Sequence, residues 1–273
     1  MQITVHRGTK EVGGTCVEVT SGNSRVILDI GMPLFGEDRK ALNTRELQQA
    51  TTQELRDKGI LPKIDGLFEP GAPIDGILIS HAHMDHTGLL DHSLPDIPVY
   101  ASSGTSKMML AGALFARQVG IPKVRHRRIK PKQTVTIGNF RVTGYPVDHS
   151  IFGCMAFLIE VDGKSILYTG DLRLHGRKPG MAWSLQDAMS DREVDVLLME
   201  GTHFGLPDGH RVTEYQLEDE IVKHVKQTSG LVLASFSPQH VDRLVALIRA
   251  AKKSGRTFVV DAYTTYVLHL IRS

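Results

Sequence analysis

The run His81-Ala82-His83-Met84-Asp85-His86 comes directly after the apolar stretch Gly76-Ile77-Leu78-Ile79-Ser80 and places three imidazoles and one carboxylate on one short turn. A strand holds its last residues rigidly, and the loop that leaves it can fold nitrogen and oxygen donors back into a small volume. The chain therefore needs a strand that ends in a turn, and a donor cluster of this kind suits metal ions.

The rest of the chain limits what that cluster can belong to. With 273 residues, 41% hydrophobic and 23% charged, the composition is that of a globular protein, long enough for one large α/β domain or one domain with part of another. No apolar run approaches the roughly 20 residues that span a bilayer. The N-terminal MQITVHRGTKEVGG also lacks the apolar core of a signal peptide, so a cytoplasmic location and no membrane partner are expected. Cys16 and Cys154 are too few and too far apart for a zinc ribbon and read as buried small apolar residues. A net charge of +2 does not announce nucleic acid, but residues 123–132 read KVRHRRIKPK, with six cations and no acid. Lys123, Arg125, Arg127, Arg128, Lys130 and Lys132 form either a solvated loop or a phosphate-contacting patch. A place beside the metal cluster would favour the patch.

Along the chain, residues 12–20 and 25–29 alternate with turn signals and predict a β-meander. Residues 37–58 are polar, charged and free of Gly and Pro, with a thin stripe of Leu42, Leu47 and Leu55, and predict an exposed, weakly packed helical insertion. A short strand is expected at 98–100 and a helix over 108–119, whose Met pair reads as core. Strands follow at 140–145, 155–161 and 165–169, the last two joined by Asp162-Gly163, a favoured two-residue hairpin turn. Residues 194–199 read as a strand buried on both faces. From about 206 the pattern changes. Thr213 with Gln216 caps a helix, 231–236 reads as a strand, Ser237-Pro238 opens a second helix closed by Gly255, and 257–260 reads as another strand. That is a βαβ unit, and it divides the chain into domains 1–205 and 206–273. The chain stops inside what reads as a further helix, so a fragment or short form of a longer protein is expected.

Imidazole and carboxylate donors without cysteine point to a catalytic rather than a structural site. His81 and His83 can share one ion, while Asp85 and His86, displaced along the turn, can serve a second about 3.5–4 Å away. A binuclear site needs more donors, and two stand just after other buried strands: His149 in Val147-Asp148-His149-Ser150, and Asp171 in Tyr168-Thr169-Gly170-Asp171.

Leu28-Asp29-Ile30-Gly31, His81-x-His83-x-Asp85-His86, His149 and Thr169-Gly170-Asp171, in that order, resemble the metallo-β-lactamase-fold hydrolases. The resemblance covers nearly all of residues 1–205 and implies an αββα sandwich there. It implies that His81, His83 and His149 hold one zinc, that Asp85, His86 and a bridging Asp171 hold the other, and that Asp29 orients the histidine turn without being a ligand. Manganese is the other metal to consider. Gly8-x-x-Glu11-Val12-Gly13-x-x-Cys16 and Met199-Glu200-Gly201-Thr202 resemble the nucleic-acid-processing branch that carries a β-CASP insertion, which includes ribonuclease J and archaeal cleavage-and-polyadenylation-like nucleases. The implied second part is the start of a parallel α/β β-CASP module. In that branch a last ligand histidine lies late in or beyond the insertion, and none of His203, His210, His224, His240 and His269 sits in the matching motif.

The resemblance implies hydrolysis of phosphodiester bonds in RNA, or DNA, by a hydroxide bound between two metal ions, with RNA or another single-stranded nucleic acid as partner. Asp85, Asp171 and Glu200 carry the catalytic roles, Glu200 supporting the site or relaying a proton. Two alternatives stand beside it: a hydrolase of a small thioester or lactone on the same fold, and a non-catalytic scaffold subunit of an RNA-processing complex. Oligomeric state is left open.

Overall fold

A turn at Gly22, whose φ is 57°, reverses the chain so that Ser21 faces Ser24, and the N-terminal strands pair antiparallel around it: β1 (Gln2–Arg7), β2 (Cys16–Ser21) and β3 (Ser24–Leu28). This is the expected meander, with β1 added ahead of it. The computed structural model describes residues 1–9, 11, 13–36, 39–202, 205 and 212–272. Val12, His203, His210 and the expected domain boundary at 205/206 lie on or against residues outside that set.

After β3 the first sheet grows by parallel strands, β4 (Gly76–Leu78), β5 (Val99–Ala101) and β6 (His126–Arg128), in the order β1-β2-β3-β4-β5-β6. Parallel neighbours need crossovers. The helices α1 (Thr44–Leu47), α2 (Thr52–Asp57), α3 (Met84–Thr87) and α4 (Ser103–Ala116) lie in those connections. The second sheet is antiparallel through β7 (Thr134–Ile137), β8 (Phe140–Pro146), β9 (Met155–Val161) and β10 (Lys164–Tyr168). After α5 (Gly180–Met189), β11 (Val196–Leu198) joins β10 in parallel, giving the order β11-β10-β9-β8-β7. The hairpin turn has Asp162 at φ 51° and Gly163 at φ 70°, the paired left-handed geometry expected of a two-residue turn.

Alternation along β9 separates two apolar layers. Phe157 and Ile159 join Val19, Val26, Leu28 and Leu78 between the sheets, while Ala156 and Leu158 face away from that interior and belong to the connected cluster that also takes in Leu55, Met108 and Met109 from the helices. The result is helix, sheet, sheet, helix. Cys16 and Cys154 are free and buried in the helix-side layer, with burial pushing both thiols up.

Three expectations need correction. The described part of the 37–58 insertion is not weakly packed: Leu47 and Leu55 are buried in the core with Ile60, Leu61, Ile64 and Leu67, because α1 and α2 each turn their leucine inward, and Leu42 packs partly buried against the same cluster. β11 is not buried on both faces. Among the described residues it is an edge strand paired only through β10, and Leu197 stays 56% exposed. Residues 231–236 and 257–260 form no strands, and so there is no βαβ unit. Leu231, Leu233 and Val259 are over 80% exposed there, because no neighbouring strand among the described residues supplies a ladder or a covering face.

The helices of that region do form. Thr213 and Gln216 make the expected reciprocal cap on α6 (Glu214–Gln227), and His240 caps α7 (Val241–Lys253) by accepting from the Arg243 N–H. α8 (Ala262–Arg272) lies on α4, with the Tyr263 ring stacked on Phe115 at 5.1 Å and Val267 fully buried.

Candidate metal centre

The ends of β3, β4 and β10 meet at one edge of the sandwich. Asp29, just past β3, is completely buried in a left-handed conformation (φ 55°). Its Oδ1 accepts from the Ser80 backbone N–H at 2.7 Å, and its Oδ2 accepts from the Ser80 hydroxyl at 2.6 Å, the His86 ring at 2.7 Å and the Tyr168 hydroxyl. The carboxylate can only accept, so the tautomers follow. His86 donates from Nδ1 and turns Nε2 toward the site. The single Ser80 hydroxyl proton goes to Asp29, so its oxygen accepts from His81 Nδ1 at 3.0 Å, leaving a bare lone pair on His81 Nε2.

His81 Nε2 lies 3.0 Å and His149 Nε2 3.2 Å from His83 Nδ1. One proton can join only one such pair, and the remaining nitrogen lone pair would face another. A cation among the three resolves the conflict. Nitrogens bound tetrahedrally at about 2.0–2.1 Å stand about 3.3 Å apart, close to the observed spacing. Burial, followed by the neighbouring imidazoles, holds His81 well below the usual imidazole range, and the same causes lower His149 to about 3. Uncharged rings are what a metal needs from these residues.

Asp171, in the turn after β10, links this group to a second. Its Oδ2 lies 3.6 Å from His149 Nε2 and 3.9 Å from His81 Nε2, while its Oδ1 lies 3.2 Å from His86 Nε2, which in turn lies 3.8 Å from Asp85. The donor atoms of His81, His83, His149 and Asp171 lie within 4.8 Å of one another, as do those of Asp85, His86 and Asp171. Burial alone would lower His86, but Asp29 and Asp171 on its two nitrogens push it well above the usual range. All six sequence-selected donors converge, and they fit two divalent ions sharing one carboxylate, the second ion taking the place of the proton that Asp171 and Asp29 favour on His86.

Close backbone approach sets the His149 loop. Gly153 (φ 95°) lies against the first turn of α4, and a Cβ there would stand 2.3 Å from the Thr105 nitrogen. Ser102 and Thr105 both donate to the Gly153 carbonyl. Beyond the ligands, Arg173 N–H donates to the Asp148 carbonyl at 2.8 Å while its guanidinium reaches Asp242 on α7 and Glu214 on α6. The loops carrying His149 and Asp171 are thus tied to the C-terminal helices. Glu200 is half-buried and accepts from the Leu172 N–H at 3.0 Å, bracing the turn after Asp171.

The basic run divides. Arg125 is a correction to the expected patch: it is buried, donating to the Ile97 carbonyl and the Ser93 hydroxyl, and contributes no exposed charge. Arg127 folds back on the carbonyls of Val124 and His126, and Lys132 bonds Ser184. Lys123 is exposed outside the clefts of the site. Arg128 and Lys130 line a cleft of about 370 Å³ together with His149. A second cleft of about 530 Å³ opens over Asp85, His86, Asp171 and Glu200. Sequence reasoning missed Ser80, Tyr168 and Arg173, although Tyr168 and Arg173 flank the singled-out Asp171.

Two helix-flanked sheets with a histidine and aspartate cluster at their shared edge define a metal-site sandwich of the metallo-β-lactamase kind. The chain belongs to the β-lactamase superfamily, whose domain matches residues 41–234. It is 26% identical to an RNase J-like protein of Methanocaldococcus jannaschii, over 95% of this chain and 57% of the relative. It is likewise 26% identical to a ribonuclease J of Mycolicibacterium smegmatis (94% and 43%) and to transcription termination factor FttA of Methanothermobacter thermautotrophicus (97% and 42%). The chain thus spans about half the length of the curated relatives it matches. A solved protein of unknown function from Enterococcus faecalis has the same fold, with a TM-score of 0.81 at 24% identity, over 99% of this chain and 68% of the other. Among the described residues, no helix is long and apolar enough to cross a membrane.

Proposed function

We propose that this protein is a zinc-dependent nuclease that hydrolyses phosphodiester bonds of RNA. The observation that carries the reading is Asp171, whose two carboxylate oxygens face two separate donor groups. The ribonuclease names of relatives aligned over most of the chain support RNA as the substrate class.

His81, His83 and His149 would hold one zinc, and Asp85, His86 and the shared Asp171 the other. Divalent ions so bound lower the pKa of water toward about 7 and neutralise charge on a phosphoryl group. The chain's own contribution is orientation. Asp29 fixes His86 and, through Ser80, His81, so that each presents one defined nitrogen. Glu200 acts through the Leu172 N–H to keep the Asp171 turn in place, which favours its supporting role over a proton relay. The desolvated edge, where His81 is fully buried and His86 nearly so, strengthens the attraction between these groups and a phosphate.

The test is incubation of the full-length protein, with zinc or manganese, with end-labelled RNA and DNA, beside Asp85→Ala and His86→Ala. Cleavage of RNA by the unaltered protein and its loss in both variants is the expected result. Retained cleavage in either variant would refute the site. Hydrolysis of a thioester with no nuclease activity would move the assignment to a small-molecule hydrolase, and full-length protein without bound metal would move it to a scaffold subunit.

A further inference from the structure

The metal cluster has a cleft on each side, and the two differ in chemistry. The larger touches Asp85, His86 and Asp171 and carries Glu11 and Glu200 among its walls. The smaller meets the cluster at His149. It is walled by Arg128, Lys130 and Lys178 and includes the half-buried ring of Phe152, over which Lys178 Nζ lies at 6.0 Å.

Arg128, Lys130 and Lys178 are all exposed, and among the described residues no ion pair engages them. The one carboxylate in the wall, Asp148, is 2% exposed and already accepts from the Lys178 backbone N–H at 2.9 Å, with the Arg173 guanidinium 3.6 Å away. Its charge is answered from behind, so the cleft faces solvent with an excess of positive charge. At about 370 Å³ it falls in the range that small-molecule sites occupy. An aromatic face bordered by cations, opening onto a metal cluster, suits a base and the phosphate attached to it. It offers no concentrated acceptors for a cationic ligand.

We infer that this cleft is a subsite for one nucleotide of a single-stranded RNA, the one flanking the phosphate held at the metal cluster. Phe152 receives the base, and Arg128 with Lys130 grips the neighbouring phosphate. The inference rests on the nuclease reading and sharpens it: the strand crosses from the cationic cleft over His149 and Asp171 toward the Asp85 side. It also narrows the basic run to two of its six members, because Arg125, Arg127 and Lys132 are engaged elsewhere and Lys123 does not line the cleft.

The experiment measures binding of a fluorescent, cleavage-resistant 2′-O-methyl phosphorothioate oligonucleotide to the full-length metal-loaded protein by anisotropy at several salt concentrations. The variants are Phe152→Leu, Phe152→Ala and Arg128→Gln with Lys130→Gln, with Lys132→Gln as the comparison. Thermal melting and metal content identify any variant that fails to fold, and Phe152→Leu keeps most of the apolar packing. Loss of a stacked base is expected to weaken binding about 5- to 140-fold. The double glutamine variant is expected to lower the salt slope by about 0.7, the value for one phosphate contact on a single strand. Lys132→Gln should leave both close to the unaltered protein. Unchanged affinity and salt slope in folded, metal-replete Phe152 and Arg128/Lys130 variants, in a protein that still cleaves RNA, would overturn the subsite and leave the nuclease reading standing. A protein that neither binds nor cleaves RNA would overturn both.

Discussion

Replacing Asp29 by Asn removes one charge from the buried junction behind the metal cluster and almost no volume. Asn tolerates the left-handed backbone at this position, so strain at φ 55° is not the cause of any effect. The carboxylate accepts four hydrogen bonds, from the Ser80 N–H and hydroxyl, the His86 ring and the Tyr168 hydroxyl. In the amide, the NH2 must face at least one of these donors. The least damaging choice sets it against the Ser80 N–H, leaving that buried donor unsatisfied at a cost of about 1–3 kcal/mol, and weakens the other three bonds from charge-assisted to neutral. A net loss of about 3 kcal/mol is expected, which corresponds to a fall in melting temperature of roughly 6–12 °C for a chain of this size. Because His86 and His81 are oriented through this carboxylate, metal affinity should fall about 10- to 100-fold. Competition with a chromophoric chelator measures the affinity, and scanning calorimetry of the metal-free protein measures the stability. An Asp29→Asn protein that melts lower yet binds zinc as tightly as the unaltered protein would refute the orienting role. Tyr168→Phe, which leaves three of the four donors, should show the same two effects at smaller size.

Elemental analysis of Asp85→Ala should find a metal content lowered toward one ion per chain, because His81, His83, His149 and Asp171 remain together, whereas Asp171→Ala should weaken both positions. Two ions retained in Asp171→Ala would contradict the shared carboxylate. Gly153→Ala should lower the melting temperature more than Gly163→Ala: both have positive φ, but only at Gly153 does the new Cβ meet backbone, 2.3 Å from the Thr105 nitrogen. Equal melting temperatures for the two would remove the close-approach argument. Arg125→Met should destabilise the fold by about 1–3 kcal/mol by orphaning the Ile97 carbonyl, while the Ser93 hydroxyl keeps its bond to the Leu90 carbonyl, without changing the salt dependence of RNA binding. A changed salt slope would return Arg125 to the nucleic-acid contacts.

The donor turn was legible because its four donors are local: residues 81–86 follow one strand, and a loop that short cannot carry them far apart. The β9–β10 hairpin and the cap of α6 were legible for the same reason, since each depends on residues at most three apart. Joining His149 and Asp171 to the turn took the order of motifs in the chain, because no local pattern says which strand ends share an edge.

Packing decided what periodicity could not. Leu197 is as apolar as the residues of a central strand, but its exposure follows from a place at the sheet edge. Residues 231–236 have a strand's composition and no strand, since a ladder needs a partner and propensity alone does not provide one. Arg125 and Arg128 stand three apart in one basic run, and only tertiary contacts bury the first and open the second onto a cleft. The sequence by itself determined the donor chemistry, the two-layer sheet pattern and the family. The tertiary structure alone decided how Asp29, Ser80 and Tyr168 orient the donors and that Asp171 faces two groups, because hydrogen bonds between residues as far apart as 29 and 168 exist only once both sheets have packed.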